Sequence, residues 1–396
     1  MLGCLSTGVS GLSANNNDMS VIANNIANAN TTAYKAQRSN FADILSQQCG
    51  GIEIGGGVSI GSVSSSVSQG PLNATSNVTD LAIDGAGFFI VKDNSGVYYT
   101  RAGEFRTNKE GKLVSPKGLV VQGWDMQHSG GMASLPSDIS ISDVAVPPKA
   151  TANISMAVNL DSNAQVKGAA FDPADTSNTS NYTSSVSAYD SSGNMHNLTI
   201  YFRKQDTADQ WSWYASDGGN PLAGQTGDLH FTGGELDSGL PATITLDGSQ
   251  EIALDLTETT QFGSDFYTKS LNQDGYEAGS LSGISITKDG VIQGTLTNGR
   301  SQDLALIALA DFKDPDGLMK MGNNLFQFTP ESGQPVVNPP GTGGKGRIVS
   351  YNLEGSNVDL AGEFVKMIIT QRAFQANART ITTADQMLTE LVNLKR

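Results

Sequence analysis

Residues 356–392 read SNVDLAGEFVKMIITQRAFQANARTITTADQMLTELV and contain no proline. Ser356, Asn357 and Asp359 are residue types that cap a helix, and Asp359 and Glu363 complement its positive end. Leu360, Phe364, Met367, Phe374, Ile381, Leu388 and Val392, with Ala378, then recur in steps of four and three. Gln371 and Asp385 take the two polar positions of that row. A seven-residue apolar repeat is the pattern of a helix packed along a narrow seam. A helix over about 358–394 would be about 55 Å long at 1.5 Å per residue. Ala384, Met387 and Leu391 form a second row near its end.

The N-terminus carries the matching pattern. Residues 1–34 contain one charged residue, Asp18, and no proline. Leu5, Val9, Leu12, Met19 and Ile26 follow the same alternation, with Leu2 before them and Asn16 and Ala23 filling the row. Ser, Asn and Thr make up most of the rest and are mediocre helix formers, so the helix is marginal alone in water. These readings predict two terminal helices that order when neighbours enclose them.

The middle is different. Residues 36–70 drift into low complexity, with Gly50-Gly51, Gly55-Gly56-Gly57 and Ser64-Ser65-Ser66, and read as a linker or arm. From Leu81 onward short apolar runs alternate with turn signals. Phe88-Phe89-Ile90-Val91, Val97-Tyr98-Tyr99-Thr100 and Leu119 to Trp124 are separated by Asp93-Asn94-Ser95-Gly96 and Lys109-Glu110-Gly111-Lys112. Strands at such spacing imply antiparallel β domains. Pro147-Pro148 marks a boundary. Val186 to Asp190, Leu198 to Phe202 and Gln210 to Tyr214 are further strands, with a hairpin turn at Ser191-Ser192-Gly193-Asn194. Leu304 to Leu309 returns to the first β domain.

The expected architecture is multidomain and mainly β, with N- and C-terminal α-helices forming a coiled-coil assembly region. Its segments are 1–34 (N-terminal assembly helix), 35–70 (linker or arm), 71–145 (first part of a β domain), 146–267 (inserted outer β domain), 268–355 (second part of the first β domain, and linker) and 356–396 (C-terminal assembly helix).

Composition narrows the function. Of the 396 residues, 16% are charged, against roughly 25% in ordinary globular domains, and 45 are Gly. That balance suits many short strands and turns. The formal net charge is −15, which argues against nucleic acid, and no Lys/Arg cluster offers a membrane patch. No apolar run is long enough for a bilayer span, and no basic residue precedes Lys35 to make a secretory signal. Residues 146–267 hold four basic against fifteen acidic residues, so most of the negative charge sits there, as an outward-facing domain would have it.

No catalytic, cofactor or metal constellation is expected. Cys4 and Cys49 cannot form a disulfide framework or a zinc site, and His128, His196 and His230 are scattered. Gly55, Gly57 and Gly61 lack the strand–helix frame of a dinucleotide loop. Gly341-Thr342-Gly343-Gly344-Lys345 lacks both the first Gly and the Ser/Thr of a phosphate loop. Asp172-Pro173-Ala174-Asp175 and Asp311 to Gly317 hold carboxylates without the spacing of a calcium loop, and turn chemistry accounts for both.

Three blocks resemble one family. Ser10-Gly11-Leu12, Asn24-Asn25-Ile26-Ala27-Asn28-Ala29-Asn30-Thr31 and Tyr34-Lys35 resemble the N-terminal signature of bacterial flagellar rod and hook proteins. Leu81 to Phe89, Tyr99-Thr100-Arg101-Ala102-Gly103 and Gly118 to Trp124 resemble their β core. Gly355 to Leu360, Glu363-Phe364 and Gln371 to Asn377 resemble their C-terminal signature. The family usually has Gly where Ala33 stands, so a positive φ is not expected there. The chain's length and its 146–267 insertion point to the family's longer, hook-type members.

The resemblance implies a structural role, not an enzyme: a curved, hollow homopolymer of many copies, acting as a flexible joint that passes torque from rod to filament. It implies partners in the rod, the hook cap and the hook–filament junction, and passage through the type III export apparatus without signal cleavage. The chain would then stand outside the cell. Self-assembly is assigned to Leu5, Val9, Leu12, Met19, Ile26, Leu360, Phe364, Met367, Phe374, Ile381, Leu388 and Val392. A distal rod subunit is the alternative within the family. An extracellular β-rich adhesin is the alternative outside it.

Overall fold

A computed structural model describes residues 2–393 apart from 45–47, 50–51, 54, 127–134, 142–144, 240–241 and 247. Helices stand at both ends: Leu2–Ala27 and Leu360–Asn393, the second of 34 residues. Between them the chain is β-rich and divides into two compact units. One comprises Met1–Asp143, Gly283–Gly294 and Ser301–Arg396, and the other Val144–Ser282 with Thr295–Arg300.

The first unit holds both helices and an antiparallel sheet. In it Ser301–Ile307 pairs with Val120–Asp125, followed in order by Phe88–Asp93, Gly96–Thr100, Leu325–Gln327 and Met319–Gly322. The register sets Trp124 opposite Leu306, Val121 opposite Val91 and Tyr99 between Ile90 and Phe326. Apolar residues here come in runs rather than strict alternation, because both faces of these strands are covered. Phe88, Tyr99, Phe312 and Phe326 meet edge-on at centroid distances of 4.8–5.8 Å and centre the core.

The sequence on either side of this sheet closes back on itself. Arg347–Ser350 pairs with Leu81–Asp84, and Asn352–Glu354 with Leu72–Ala74. The chain therefore enters and leaves the β core side by side, which sets the two terminal helices next to each other. Over 36–70, where composition reads as a linker, an antiparallel hairpin forms instead: Gln37–Asp43 with Val58–Ser65. Ser and Gly conceal these strands from a hydrophobic reading. Part of the ladder is polar, with Asn40 Nδ2 donating to the hydroxyls of Ser62 and Ser64.

The second unit has its own apolar core, centred on Trp211, Phe202, Ile154 and Leu160. Ala242–Leu246 shows why it folds: Ala242, Ile244 and Leu246 point in, while Thr243 and Thr245 are less buried. Tyr182–Tyr189 and Met195–Lys204 form a hairpin, closed by Asp190 Oδ1 accepting from the N–H of Ser192 and Asn194 at 2.8 Å. Asn153–Asp161 departs from the antiparallel expectation: it runs parallel to Gln250–Asp255 and Thr260–Phe262. The unit extends past residue 267 because Tyr267–Gln273 pairs with the same strand.

Candidate assembly interface at the chain termini

The two terminal helices pack antiparallel on each other. Asn25 Nδ2 donates to Glu363 Oε2 at 3.1 Å. Thr370 Oγ1 donates to Asp18 Oδ2 at 2.9 Å. A Cβ on Gly11 would stand 2.6 Å from Asn377 Nδ2, and one on Gly8 2.9 Å from Ile381 Cγ1. Asn25, Asp18 and Gly11 lie seven residues apart, as do Glu363, Thr370 and Asn377. This is a heptad seam, but one of small and hydrogen-bonding residues. Ala14 and Ile22 are buried on the first helix, and Ala384 on the second.

Of the apolar row expected to form the seam, Ile381 reaches it against Gly8, and much of the rest is rotated away. Val9, Leu360, Phe364 and Phe374 are exposed, Phe364 to 51%. Leu5, Leu12, Met19, Ile26, Met367, Ile381 and Leu388 are half-buried. Val365, Ile368 and Ile369, outside the heptad row, are exposed too. The side chains of Val392, Cys4 and Cys49 lie outside the described residues. The monomer thus uses the polar heptad for its internal contact and leaves a broad apolar surface open. Exposed apolar side chains gathered on a helix pair mark an interaction surface.

Below the helix pair, a fully buried charge cluster joins the ends of the chain to the β core. Lys35 Nζ lies 2.6 Å from Glu354 Oε1 and also donates to the Ser68 carbonyl at 2.7 Å. Arg101 Nη1 approaches Glu354 Oε2 at 3.5 Å, and the Gly70 N–H donates to Oε1 at 2.9 Å. Burial pushes the Lys35 ammonium below its ordinary pKa, against the pull of Glu354. Burial lowers the Arg101 guanidinium in the same way, against the pull of Glu354 and Asp311.

Asn25 knits the same region. It donates to the Gln37 carbonyl and accepts from the Gln37 N–H, both at 2.8 Å, and accepts from the Tyr34 hydroxyl at 3.3 Å. Burial, followed by the charge of Glu363, raises the Tyr34 phenol, so it stays a donor. Asn357 Oδ1 accepts from the Ala36 N–H at 2.7 Å, while its Nδ2 donates to the Ser66 and Ser68 carbonyls. Ala33, against expectation, has a φ of 56°. That conformation aims its N–H at the Glu354 carbonyl, 2.7 Å away. Lys35, Arg101, Asn25 and Asn357 all fall in the quoted motifs. Glu354, the hub, does not; its one sequence signal is a lone carboxylate beside Gly355.

The carboxylate clusters serve turns. Asp172 Oδ1 accepts from the Ala174 N–H at 2.9 Å and Asp314 Oδ1 from the Asp316 N–H at 3.1 Å. Among the described residues no group of three or more His, Cys, Asp or Glu is arranged to hold a metal ion. Nor, among those residues, is any helix long and apolar enough to cross a membrane.

Four family models match the chain: "Flagella basal body rod protein" over 5–35, "Flagellar hook protein FlgE/F/G D1 domain" over 82–163, "Flagellar basal body protein FlaE D2 domain" over 159–276 and "Flagellar basal body rod FlgEFG protein C-terminal" over 349–394. They define an axial protein of the flagellar rod and hook class. The flagellar hook protein FlgE of Borreliella burgdorferi is 35% identical over 100% of both chains. That of Salmonella typhimurium is 32% identical over 98% of this chain and 99% of its own, and that of Escherichia coli 33% over the same shares. The chain belongs to the flagellar hook protein FlgE family and is a structural subunit of the hook. A crystal structure of Helicobacter pylori hook protein FlgE2 shares the fold at TM-score 0.53 and 16% identity, covering 71% of this chain and 100% of that one.

Proposed function

We propose that subunits join through the exposed apolar side chains of the two terminal helices, with Val9, Leu360, Phe364 and Phe374 at the centre of each contact and Leu5, Leu12, Met19, Ile26, Met367 and Leu388 along its margins. One observation carries this reading: the helix pair satisfies its own seam with Asp18–Thr370 and Asn25–Glu363, yet leaves large side chains such as Phe364 in water. Burying them is worth roughly 1.5–3 kcal/mol per large side chain, repeated at every contact.

Such contacts are head-to-tail and do not close, so they generate a helical tube rather than a dimer. The helices form its inner layer. Sliding of neighbouring subunits between discrete packed arrangements lets a curved tube turn while passing torque. The rod, the hook cap and the hook–filament junction are the partners at its ends. The type III apparatus exports the chain to the cell exterior without cleaving a signal. Polymerisation of purified Phe364→Asp protein tests the core of this reading. Loss of tubes by electron microscopy, with unchanged thermal unfolding of the monomer, is expected. Tubes of normal abundance would refute it.

A further inference from the structure

Arg101 is a buried charge whose hydrogen-bonding capacity is poorly met. Its side chain is almost wholly buried, yet its one ion-pair contact is the 3.5 Å approach to Glu354, whose nearer oxygen is held by Lys35. Arg101 Nε has no hydrogen-bond partner. A guanidinium carries five N–H donors, and leaving them unmet inside a protein is costly. The Phe88 ring, with its centroid 5.3 Å from Cζ, covers one face without accepting those donors.

Arg101 lines a cavity of about 310 Å³, together with Phe88, Val67, Pro315 and Asp311. Asp311 is close enough to act on Arg101 through its charge, but the two are not in ion-pair contact. One oxygen of Asp311 accepts from the Phe312 N–H at 3.0 Å. Gly85 and Gly87 leave part of the rim without side chains. The remaining polar wall, Gln69, is already engaged with Asp84 and the Gly85 N–H.

The charge pattern selects the occupant. A carboxylate would meet Asp311, and a cation would meet Arg101. A neutral group with an acceptor and a donor side by side answers both, and apolar walls suit a short carbon stem behind it. We propose that this cavity receives an amide of a second copy of the chain, its carbonyl oxygen accepting from Arg101 and its N–H donating to Asp311. The proposal rests on assembly into a hook, where copies press against one another and Asn and Gln are plentiful. It adds a polar, orienting contact on the β core to the apolar contacts of the helices.

The test uses hooks polymerised from an equal mixture of ¹⁵N-labelled and ¹³C-labelled full-length chains. Solid-state NMR should show transfer from an arginine side-chain ¹⁵N to an amide ¹³C=O of another copy. That signal should vanish in hooks built from Ala86→Trp, where a ring at the exposed rim position closes the mouth. Ala86→Trp should also raise the critical concentration for polymerisation about tenfold while leaving the monomer's unfolding midpoint unchanged. Hooks that form normally with Arg101 in contact only with water, or an unchanged critical concentration for a folded Ala86→Trp monomer, would overturn the proposal. If wild-type chains form no hooks at all, the assembly reading itself falls, and this one with it.

Discussion

Lys35 Nζ and Glu354 Oε1 stand 2.6 Å apart with no solvent access to either side chain, across a separation of 319 residues. The contact joins the segment after the first helix to the segment before the last. Removing one partner leaves a buried charge uncompensated, which costs roughly 3–5 kcal/mol. Lys35→Met should therefore lower the stability of the helix-bearing unit by that order in denaturant unfolding, while the Val144–Ser282 unit keeps its own transition. Exchanging both partners for apolar residues should recover little of the loss, because Arg101 then loses its ion-pair contact with Glu354.

Ala33 supplies a second prediction. A non-glycine residue at φ 56° pays roughly 1–2 kcal/mol for its left-handed backbone. The conformation is kept because it brings the Ala33 N–H to the Glu354 carbonyl. Ala33→Gly removes the crowding but loosens the unfolded chain, so a net gain of about 1 kcal/mol is expected. A thermal midpoint unchanged or lowered would show that the side chain's packing outweighs its strain.

The helices were legible in the sequence, because a seven-residue repeat over proline-free segments has few other readings. Which row faced inward was not. Large apolar residues at Leu360 and Phe364 outweigh Gly11, Asp18 and Thr370 in any hydrophobic pattern, yet the smaller residues make the internal contact. Glycine permits close approach, and paired hydrogen bonds satisfy the polar positions. The β strands around Phe88 and Trp211 were read from their apolar runs, whereas the Gln37–Asp43 hairpin was hidden by serine and glycine. The charge cluster was half visible: Lys35 and Arg101 sit in motifs, but only the fold brings Glu354 to them.

Gly11 tests the seam directly. Gly11→Ala should raise the intrinsic helix propensity of its segment by about 1 kcal/mol. Its new methyl, however, would collide with Asn377, so the helix pair should separate and become more sensitive to protease. Adding Asn377→Ala should restore protection. Greater protection from Gly11→Ala alone would mean that the close approach contributes nothing.

Asp274 gives the second unit a pH signature. Burial favours its neutral form, but the N–H groups of Asn153 and Ala152 and the Lys149 ammonium prevail and hold it well below the usual carboxylate range. The folded chain thus keeps the charge when the unfolded chain would take up a proton. The stability this provides is complete above about pH 4 and is lost as pH falls toward the depressed folded value. Asp274→Asn should flatten the acid limb of this unit's stability profile between pH 5 and pH 2 (about the range where unfolded carboxylates titrate). An acid limb as steep as the wild type's would locate the effect elsewhere.

The two faces of the last helix should separate by mutation. Thr370 meets Asp18 inside the chain, so Thr370→Ala removes a hydrogen bond at about 1 kcal/mol and leaves the Asp18 carboxylate short of a donor. Its effect belongs to the monomer: lower helicity by circular dichroism, with polymerisation recovered once protein concentration compensates. Phe374, one turn on from Thr370, lies beside the seam and is 38% exposed in the monomer. Phe374→Asp should leave monomer helicity unchanged and abolish polymerisation at any attainable concentration, because a carboxylate would be buried at each subunit contact. If both substitutions reduce monomer helicity equally, the outward row is part of the monomer's own packing and the division of labour between the faces is wrong.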